Sequence, residues 1–269
     1  MDARRILVSR PDRLGDLVIT SACLSQVKSS FPGSKLALLA KQEYASLFKK
    51  HPVVDEYIAY TPSGTAWVSA VEAFAPHLSF HLHPNSAVAE LCARMSVVER
   101  VGYDSESRFL TATLPYLKHK GEKHEIEYVF DLLSMAGVNS PDNFEPELVS
   151  AKLPEGLEVP DDFCVFHMGS YGKKARIPLR VFSEIAHWID SKYSLKSVLV
   201  GSANEFAYND EFIDDWNVPS ALNLCGKLNL AQLLGLIGRA AFFIGRDSGP
   251  SHLAGASGAH TYCFMPAAR

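Results

Sequence analysis

Short runs rich in apolar and β-branched residues alternate along this chain with longer runs whose apolar positions recur every three to four residues. No other feature of the sequence restricts the fold as much. Two neighbouring strands with a helix between them share a sheet through a crossover, so the pattern implies parallel sheets covered by helices on both faces. It predicts strands at Arg5–Ser9, Lys35–Ala40, Glu56–Tyr60 and Leu78–Leu82, with a further short one at Arg100–Tyr103. The intervening helices are predicted at Asp16–Phe31, Gln42–Lys50, Gly64–Phe74, Ser86–Met95 and Glu122–Ala136. In Asp16–Phe31, Leu17, Thr20, Leu24, Val27 and Phe31 share one face, and Pro32-Gly33 supplies the stop.

The alternation breaks over Asn139–Pro160, where Pro141, Pro146, Pro154 and Pro160 stand among acidic residues without periodicity. Such a stretch reads as a linker. Beyond it strands are predicted at Phe163–His167, Leu195–Gly201, Ala221–Leu224, Ala241–Gly245 and His260–Met265. Helices are predicted at Pro178–Lys192, Asn204–Trp216, Leu228–Arg239 and Gly249–Ser257. The expected organisation is α/β, with two doubly wound domains at 1–140 and 161–269 and a linker at 141–160. With 269 residues, 47% of them hydrophobic, the chain is long enough for two small cores.

A net charge of −4 argues against a nucleic-acid binder, which usually shows a basic face. The five cysteines form no CxxC pair, so a zinc site is not expected. Four of them lie in apolar runs, where a buried thiol is the ordinary outcome. Unclustered thiols in odd number fit a reducing cytoplasm. No signal peptide and no long apolar run announces a membrane span. Dinucleotide, P-loop and nucleophile-elbow signatures are also missing, which counts against dehydrogenases, P-loop enzymes and α/β-hydrolases.

In open α/β sheets ligands bind beyond the carboxyl ends of the strands, and three stretches fall there. After the first strand comes Arg10-Pro11-Asp12-Arg13-Leu14-Gly15-Asp16. Its Gly15 allows close approach of a ligand. Asp16, at a helix start, either accepts a proton from an attacking hydroxyl or complements the positive helix end. Arg10 and Arg13 either pair with phosphates and acidic sugars or are simply solvated. The second stretch runs from His167 to Pro178 and offers Ser170, Lys173, Lys174 and Arg176 as donors to a diphosphate. A basic surface loop capping a helix is its plainer reading. The third is Gly245-Arg246-Asp247-Ser248-Gly249-Pro250-Ser251-His252. There a strand delivers a helix start, with the N–H groups of Ser248, Gly249 and Ser251 expected to be free for an anion. Asp247 reads most simply as the N-cap. His252 either donates to a phosphate or packs inside the helix. Glu205, at another helix start, is able to bind ribose hydroxyls.

Together these stretches resemble glycosyltransferase family 9, the bacterial lipopolysaccharide heptosyltransferases and their relatives. The resemblance runs from Arg5 through Asp16 to Phe31-Pro32. It resumes at Leu82-His83-Pro84, Val101-Gly102-Tyr103 and His124-Glu125, and is strongest from Gly245 to Ala254. It implies a GT-B architecture of two facing Rossmann-like domains, with inverting transfer that needs neither metal nor cofactor. The implied donor is ADP-heptose or a similar nucleotide sugar, held mainly by the second domain. The implied acceptor is a lipid-linked core sugar, held mainly by the first, which brings with it peripheral association with the inner membrane. Arg4, Arg5, Arg10 and Arg13 suit anionic headgroups, and ordinary surface charge explains them equally. By the same resemblance Asp16 is the general base, and Arg10, Arg13 and His83 stand on the acceptor side. Ser248, Gly249, Ser251 and His252 surround the donor phosphates, Asp247 lies near the donor sugar and Glu205 near the nucleoside.

The sequence departs from the family in two places. Ala175 and Ile177 stand where the family often has the lysine and tryptophan of a Lys-x-Trp-Pro motif. The family also continues for several dozen residues past the last strand, so a C-terminus shorter than the family norm leaves His260–Met265 as a poorly covered edge. A partner over that edge is one expected consequence. A weakened or non-catalytic member that only binds a nucleotide or sugar is the alternative reading of both departures.

Overall fold

The computed structural model describes residues 4–169, 177–218 and 221–265. By its internal contacts the chain divides into two compact units, Met1–Val149 and Ser150–Arg269.

The first unit holds a six-stranded sheet. Its strands are β1 (Arg5–Ser9), β2 (Lys35–Lys41), β3 (Glu56–Tyr60), β4 (Leu78–His81), β5 (Glu99–Tyr103) and β6 (Ala112–Leu114). They are ordered β3-β2-β1-β4-β5-β6, and every pairing is parallel. β1 lies between β2 and β4, and Ile6, Leu7 and Val8 are completely buried. Such continuous apolar runs are what a strand covered on both faces requires. β6 is a three-residue edge strand with no buried position, and its sequence carries no apolar run to announce it.

The helices are α1 (Leu14–Ser21), α2 (Leu24–Ser30), α3 (Ala66–Phe74), α4 (Ser86–Arg94) and α5 (Glu125–Ser134). The single helix expected at Asp16–Phe31 is therefore two, broken at Ala22-Cys23. The Ser21 hydroxyl donates back to Val18 O at 2.6 Å and accepts the Glu147 N–H at 2.9 Å. Back-bonding of this kind competes with the helical ladder and bends it. The segment expected to be helical at Gln42–Lys50 is a 3₁₀ stretch over Gln42–Leu47.

Part of the proline-rich stretch is anchored to the first unit. The Glu147 carbonyl lies 3.1 Å from His51 Nε2, its carboxylate accepts from Ser25 Oγ, and the Val149 N–H donates to Leu47 O.

The second unit holds a five-stranded sheet of β7 (Phe163–His167), β8 (Lys196–Leu199), β9 (Leu222–Asn223), β10 (Phe243–Arg246) and β11 (Thr261–Phe264). The order is β11-β10-β7-β8-β9, again parallel throughout. Around it lie α6 (Leu179–Tyr193), α7 (Phe206–Asp215), α8 (Leu230–Ile237) and α9 (Gly249–Ala256). α6 begins one residue later than expected, with Pro178 as its N-cap. The core gathers Cys164, Phe166, Phe182, Ile189, Leu199 and Phe212.

β11 is an edge strand, as the sequence suggested. Tyr262 is 63% exposed and Met265 68%. Trp188 and Tyr193 of α6 flank the same apolar groove. Of the five cysteines only Cys263, on this edge, is exposed. Among the described residues no helix is long and apolar enough to cross a membrane.

Candidate functional site

Strand order decides where each sheet opens. Chain connections lead away from β1 toward β2 on one side and β4 on the other. In the second sheet they diverge from β7 toward β8 and β10. Loops leaving such a pair of strands part company, and the crevice at their carboxyl ends is where doubly wound sheets hold ligands. In each unit a polar cluster occupies that crevice.

In the first unit the cluster is organised by Arg10. The loops after β1 and β4 are stitched to the sheet by Arg10 N–H to Leu39 O at 2.9 Å and Leu82 N–H to Ser9 O at 3.0 Å. The Arg10 side chain, 1% exposed, then turns inward. Its Nη1 donates to Leu82 O, and its Nη2 donates to Glu125 Oε1 at 2.6 Å and lies 3.5 Å from Asp16 Oδ1. Nε lies 2.9 Å from Asp12 Oδ1. Burial opposes the guanidinium charge, but Asp12, Glu125 and Asp16 outweigh it, and the group is held above its ordinary value. Arg10 thus braces the carboxylates of Asp12, Asp16 and Glu125, each within 3.5 Å of its guanidinium nitrogens. Arg5 is also engaged, with Nε donating to Ala75 O.

Asp16 lies in the first turn of α1. Oδ1 accepts from Lys118 Nζ at 2.6 Å and Oδ2 from Arg13 Nε at 3.1 Å. Burial alone would raise its carboxyl, but the Lys118 hydrogen bond and the charges of Arg10, Lys118 and Arg13 hold it below the ordinary carboxylate range. Arg13 is otherwise open to solvent, with its side chain 80% exposed. His83, just past β4, places Nδ1 3.4 Å from Asp12 Oδ2. Burial lowers its pKa, and the pull of Asp12 does not fully offset that. The structure thus brings Arg10, Arg13, Asp16 and His83 into one cluster. It adds Asp12, Lys118 and Glu125, to which sequence reasoning gave no role. Glu125 was within reach, since His124-Glu125 opens α5 with a capping box. Lys118 sits on a 3₁₀ turn, Lys118–Lys120, that no periodicity marks.

In the second unit the cluster lies at the ends of β7 and β10. His167 Nδ1 is 3.2 Å from Ser248 Oγ, and its Nε2 is 3.9 Å from Glu205 Oε1. Burial depresses the imidazole pKa, Arg246 adds to this, and Glu205 opposes without reversing it. Glu205 Oε2 accepts from the Ser202 N–H at 2.7 Å and from its hydroxyl at 2.8 Å. The carboxylate lies over two glycines. A Cβ on Gly169 would come within 1.3 Å of Oε1, and one on Gly201 within 2.9 Å of Oε2.

The helix start at α9 differs from expectation. Its N-cap is Ser248, not Asp247. The Ser248 N–H donates to Ser251 Oγ at 2.9 Å and the Ser251 N–H to Ser248 O at 3.1 Å. The Ser251 hydroxyl has Arg246 O and Ser248 O each at 2.7 Å. Two of the three amides expected to be free are therefore occupied. Among the described residues, the Gly249 N–H is the one left without a partner. Asp247 and His252 are half exposed and face each other at 3.9 Å. Ser170, Lys173, Lys174 and Arg176 lie outside the described residues.

A family model for glycosyltransferase family 9 (heptosyltransferase) matches residues 81–261, well over half of the chain. The chain belongs to glycosyltransferase family 9. No curated protein matches it in sequence. Among solved structures, this glycosyltransferase is similar to a family 9 glycosyltransferase from Veillonella parvula DSM 2008. The TM-score is 0.82 at 19% identity, covering 98% of this chain and 86% of the other. It is also similar to the E. coli heptosyltransferase WaaC bound to ADP, with TM-score 0.77, 17% identity and coverage of 96% and 86%. For the E. coli ADP-heptose lipopolysaccharide heptosyltransferase II the corresponding values are 0.78, 18%, 96% and 84%. At such identities the likeness carries the fold, which is of the GT-B type, and the heptosyltransferase-like character rests on the family match.

Proposed function

We propose that this glycosyltransferase moves a heptose or similar sugar from an ADP-sugar to a lipopolysaccharide core-type acceptor, with inversion at the anomeric carbon. The observation that carries this reading is the presence of two unlike clusters, each at the crevice of its own sheet. One contains a carboxylate kept ionised among cations. The other contains a carboxylate laid over glycines beside a serine-capped helix start. The first suits proton removal from a hydroxyl, the second a nucleoside and its phosphates. A WaaC structure containing ADP supports the nucleotide assignment.

In this mechanism the acceptor hydroxyl gives its proton to Asp16, and its oxygen attacks the anomeric carbon opposite the leaving group. The bond from that carbon to the diphosphate breaks, and the electron pair leaves on the diphosphate as ADP. Glu205 binds the ribose hydroxyls. Gly249, Ser248, Ser251 and His252 lie along the phosphates, and Asp247 lies near the sugar. Ser170, Lys173, Lys174 and Arg176 are assigned to the phosphates on sequence grounds. Arg13 and His83 meet the acceptor. Because that acceptor is lipid-linked, the enzyme works in the cytoplasm, peripherally at the inner membrane.

The test is transfer from ADP-heptose to a deacylated core acceptor by wild type and Asp16→Ala. General-base removal is expected to cost about 10²–10⁴-fold in kcat, with ADP affinity unchanged. Near-wild-type turnover by Asp16→Ala removes Asp16 from the role. ADP binding by the wild type without transfer to any acceptor supports the binding-only alternative.

A further inference from the structure

Both Asp16 oxygens face cations. Lys118 and Arg10 face Oδ1, and Arg13 holds Oδ2. A carboxylate so surrounded is a weak base, and it gains basicity when one cation withdraws. Arg10 is immobilised by its own contacts, and Arg13, 80% exposed, holds only Oδ2, so Lys118, 26% exposed and extending from a short turn, is the cation able to leave Oδ1. A place for the ammonium to go already exists. Glu125 Oε2 is 3.0 Å from Lys118 Nζ, is buried, and accepts no hydrogen bond among the described residues. That oxygen is ion-paired to Lys118 but lacks a well-aligned hydrogen bond, which is costly for a buried carboxylate, so an ammonium moving fully onto it offsets part of what it gives up at Asp16.

We propose that Lys118 is a two-position counter-ion that caps Asp16 in the resting enzyme and shifts onto Glu125 when the acceptor hydroxyl arrives, freeing Oδ1 to take the proton. The inference rests on Asp16 being the base. Lys118 and Glu125 are positioning residues, since neither touches the reacting atoms. With the ammonium on Asp16 the base is stored ionised in a pocket where burial would otherwise protonate it. With the ammonium on Glu125 the carboxylate regains basicity at the moment of attack. Three cations, Arg10, Arg13 and Lys118, balance three carboxylates, Asp12, Asp16 and Glu125, so the shift leaves the cluster's total charge unchanged. His83 faces the same cluster and Tyr103 lies near Arg10 and Glu125. Both favour their uncharged forms, because burial lowers the imidazole and raises the phenol.

The experiment compares wild type, Lys118→Met, Lys118→Arg and Glu125→Gln in two readouts. One is the pH profile of kcat for transfer from ADP-heptose. The other is the titration of the Asp16 side-chain carbon by NMR in the enzyme without substrates, which needs no turnover. Lys118→Met is expected to move both the acid limb and the Asp16 titration to higher pH. Glu125→Gln removes the second position and a neighbouring negative charge. It is expected to lower the plateau kcat roughly tenfold, the cost of about 1.4 kcal/mol, and to move the Asp16 titration to lower pH. Lys118→Arg, which keeps a cation, stays near wild type. Thermal midpoints of all four proteins identify any that fail to fold, and Lys118→Met with its conservative partner suffices if Glu125→Gln is one of them. Superimposable acid limbs and Asp16 titrations in wild type and Lys118→Met overturn the proposal. If Asp16→Ala is inactive while Lys118→Met is unmoved, the counter-ion idea fails and the base assignment stands. If Asp16→Ala keeps its turnover, both fall.

Discussion

Replacing Arg10 with methionine gives the sharpest test of how the first unit is held together. Methionine roughly matches the length of the stem and removes the charge. Three carboxylates then lose a common partner: Asp12, Asp16 and Glu125, each with a side chain no more than 12% exposed. Breaking a buried ion pair by removing one member typically costs about 3–5 kcal/mol, because the other charge is left uncompensated. Against a total stability of roughly 5–15 kcal/mol for a domain, that is a large share. The sign of the pH dependence follows from Asp16. Its carboxyl is held low in the native wild type, so its stabilising contribution is full above the ordinary carboxylate range and fades as pH falls through the depressed value. In Arg10→Met one of the charges holding Asp16 low is gone, so Asp16 protonates at higher pH than in wild type. The gap between variant and wild type is therefore widest near neutral pH, narrows as pH falls and closes only below the depressed wild-type value. Fluorotryptophan labelling isolates the relevant unit, because Trp67 lies in the first unit and Trp188 and Trp216 in the second. Urea unfolding followed through the Trp67 signal should show the loss at pH 7.5 and a clearly smaller one at pH 5. A loss below about 1 kcal/mol at pH 7.5, the scale of a surface ion pair, or equal losses at both pH values, would refute the reasoning.

Gly169→Ala is expected to weaken ADP binding about tenfold or more by calorimetry, with little change in thermal midpoint, because its methyl would occupy the place of Glu205 Oε1. Ser251→Ala removes the acceptor of the Ser248 N–H and the donor to Arg246 O or Ser248 O. It should cost the second unit about 1–2 kcal/mol in denaturant unfolding. His81 is completely enclosed, and burial, with Arg100 nearby, lowers its pKa to about 4. The unfolded chain binds a proton there near pH 6.5 and the native state does not, so the first unit loses stability as pH falls from about 6.5 toward 4, by up to about 3 kcal/mol. Comparing His81→Gln with wild type across that range should show a shallower slope in the variant.

Much of this was legible in the sequence where one physical cause acted locally. The largely buried strands β1, β2 and β7 announce themselves as unbroken apolar runs, and α4, α8 and α9 start at the capping residues Asn85, Asn229 and Ser248. The break between α1 and α2 was not legible, because it depends on the Ser21 hydroxyl bonding both to its own helix and to Glu147, far along the chain. The same limit applied to the site. The roles proposed for Asp16 and Glu205, like the GT-B expectation, followed from family resemblance, because a carboxylate at a helix start has a purely local use as well. The bracing contacts of Arg10 were not legible, because its partners Leu82 O and Glu125 are remote in sequence. Lys118 lies on an aperiodic turn and gave no signal. At α9 the amides looked free because the sequence does not reveal that Ser251 would turn its hydroxyl back onto Ser248.

The carboxylate of Glu205, lying across Gly169 and Gly201, ties three positions into one unit of change. A side chain at Gly169 is tolerated only if the carboxylate is shortened or moved, whereas one at Gly201 must also displace Cys225 Sγ, 3.1 Å from where its Cβ would lie. Substitution at Gly169 therefore has to be preceded by a change at residue 205, while Gly201 stays tied to Cys225 as well.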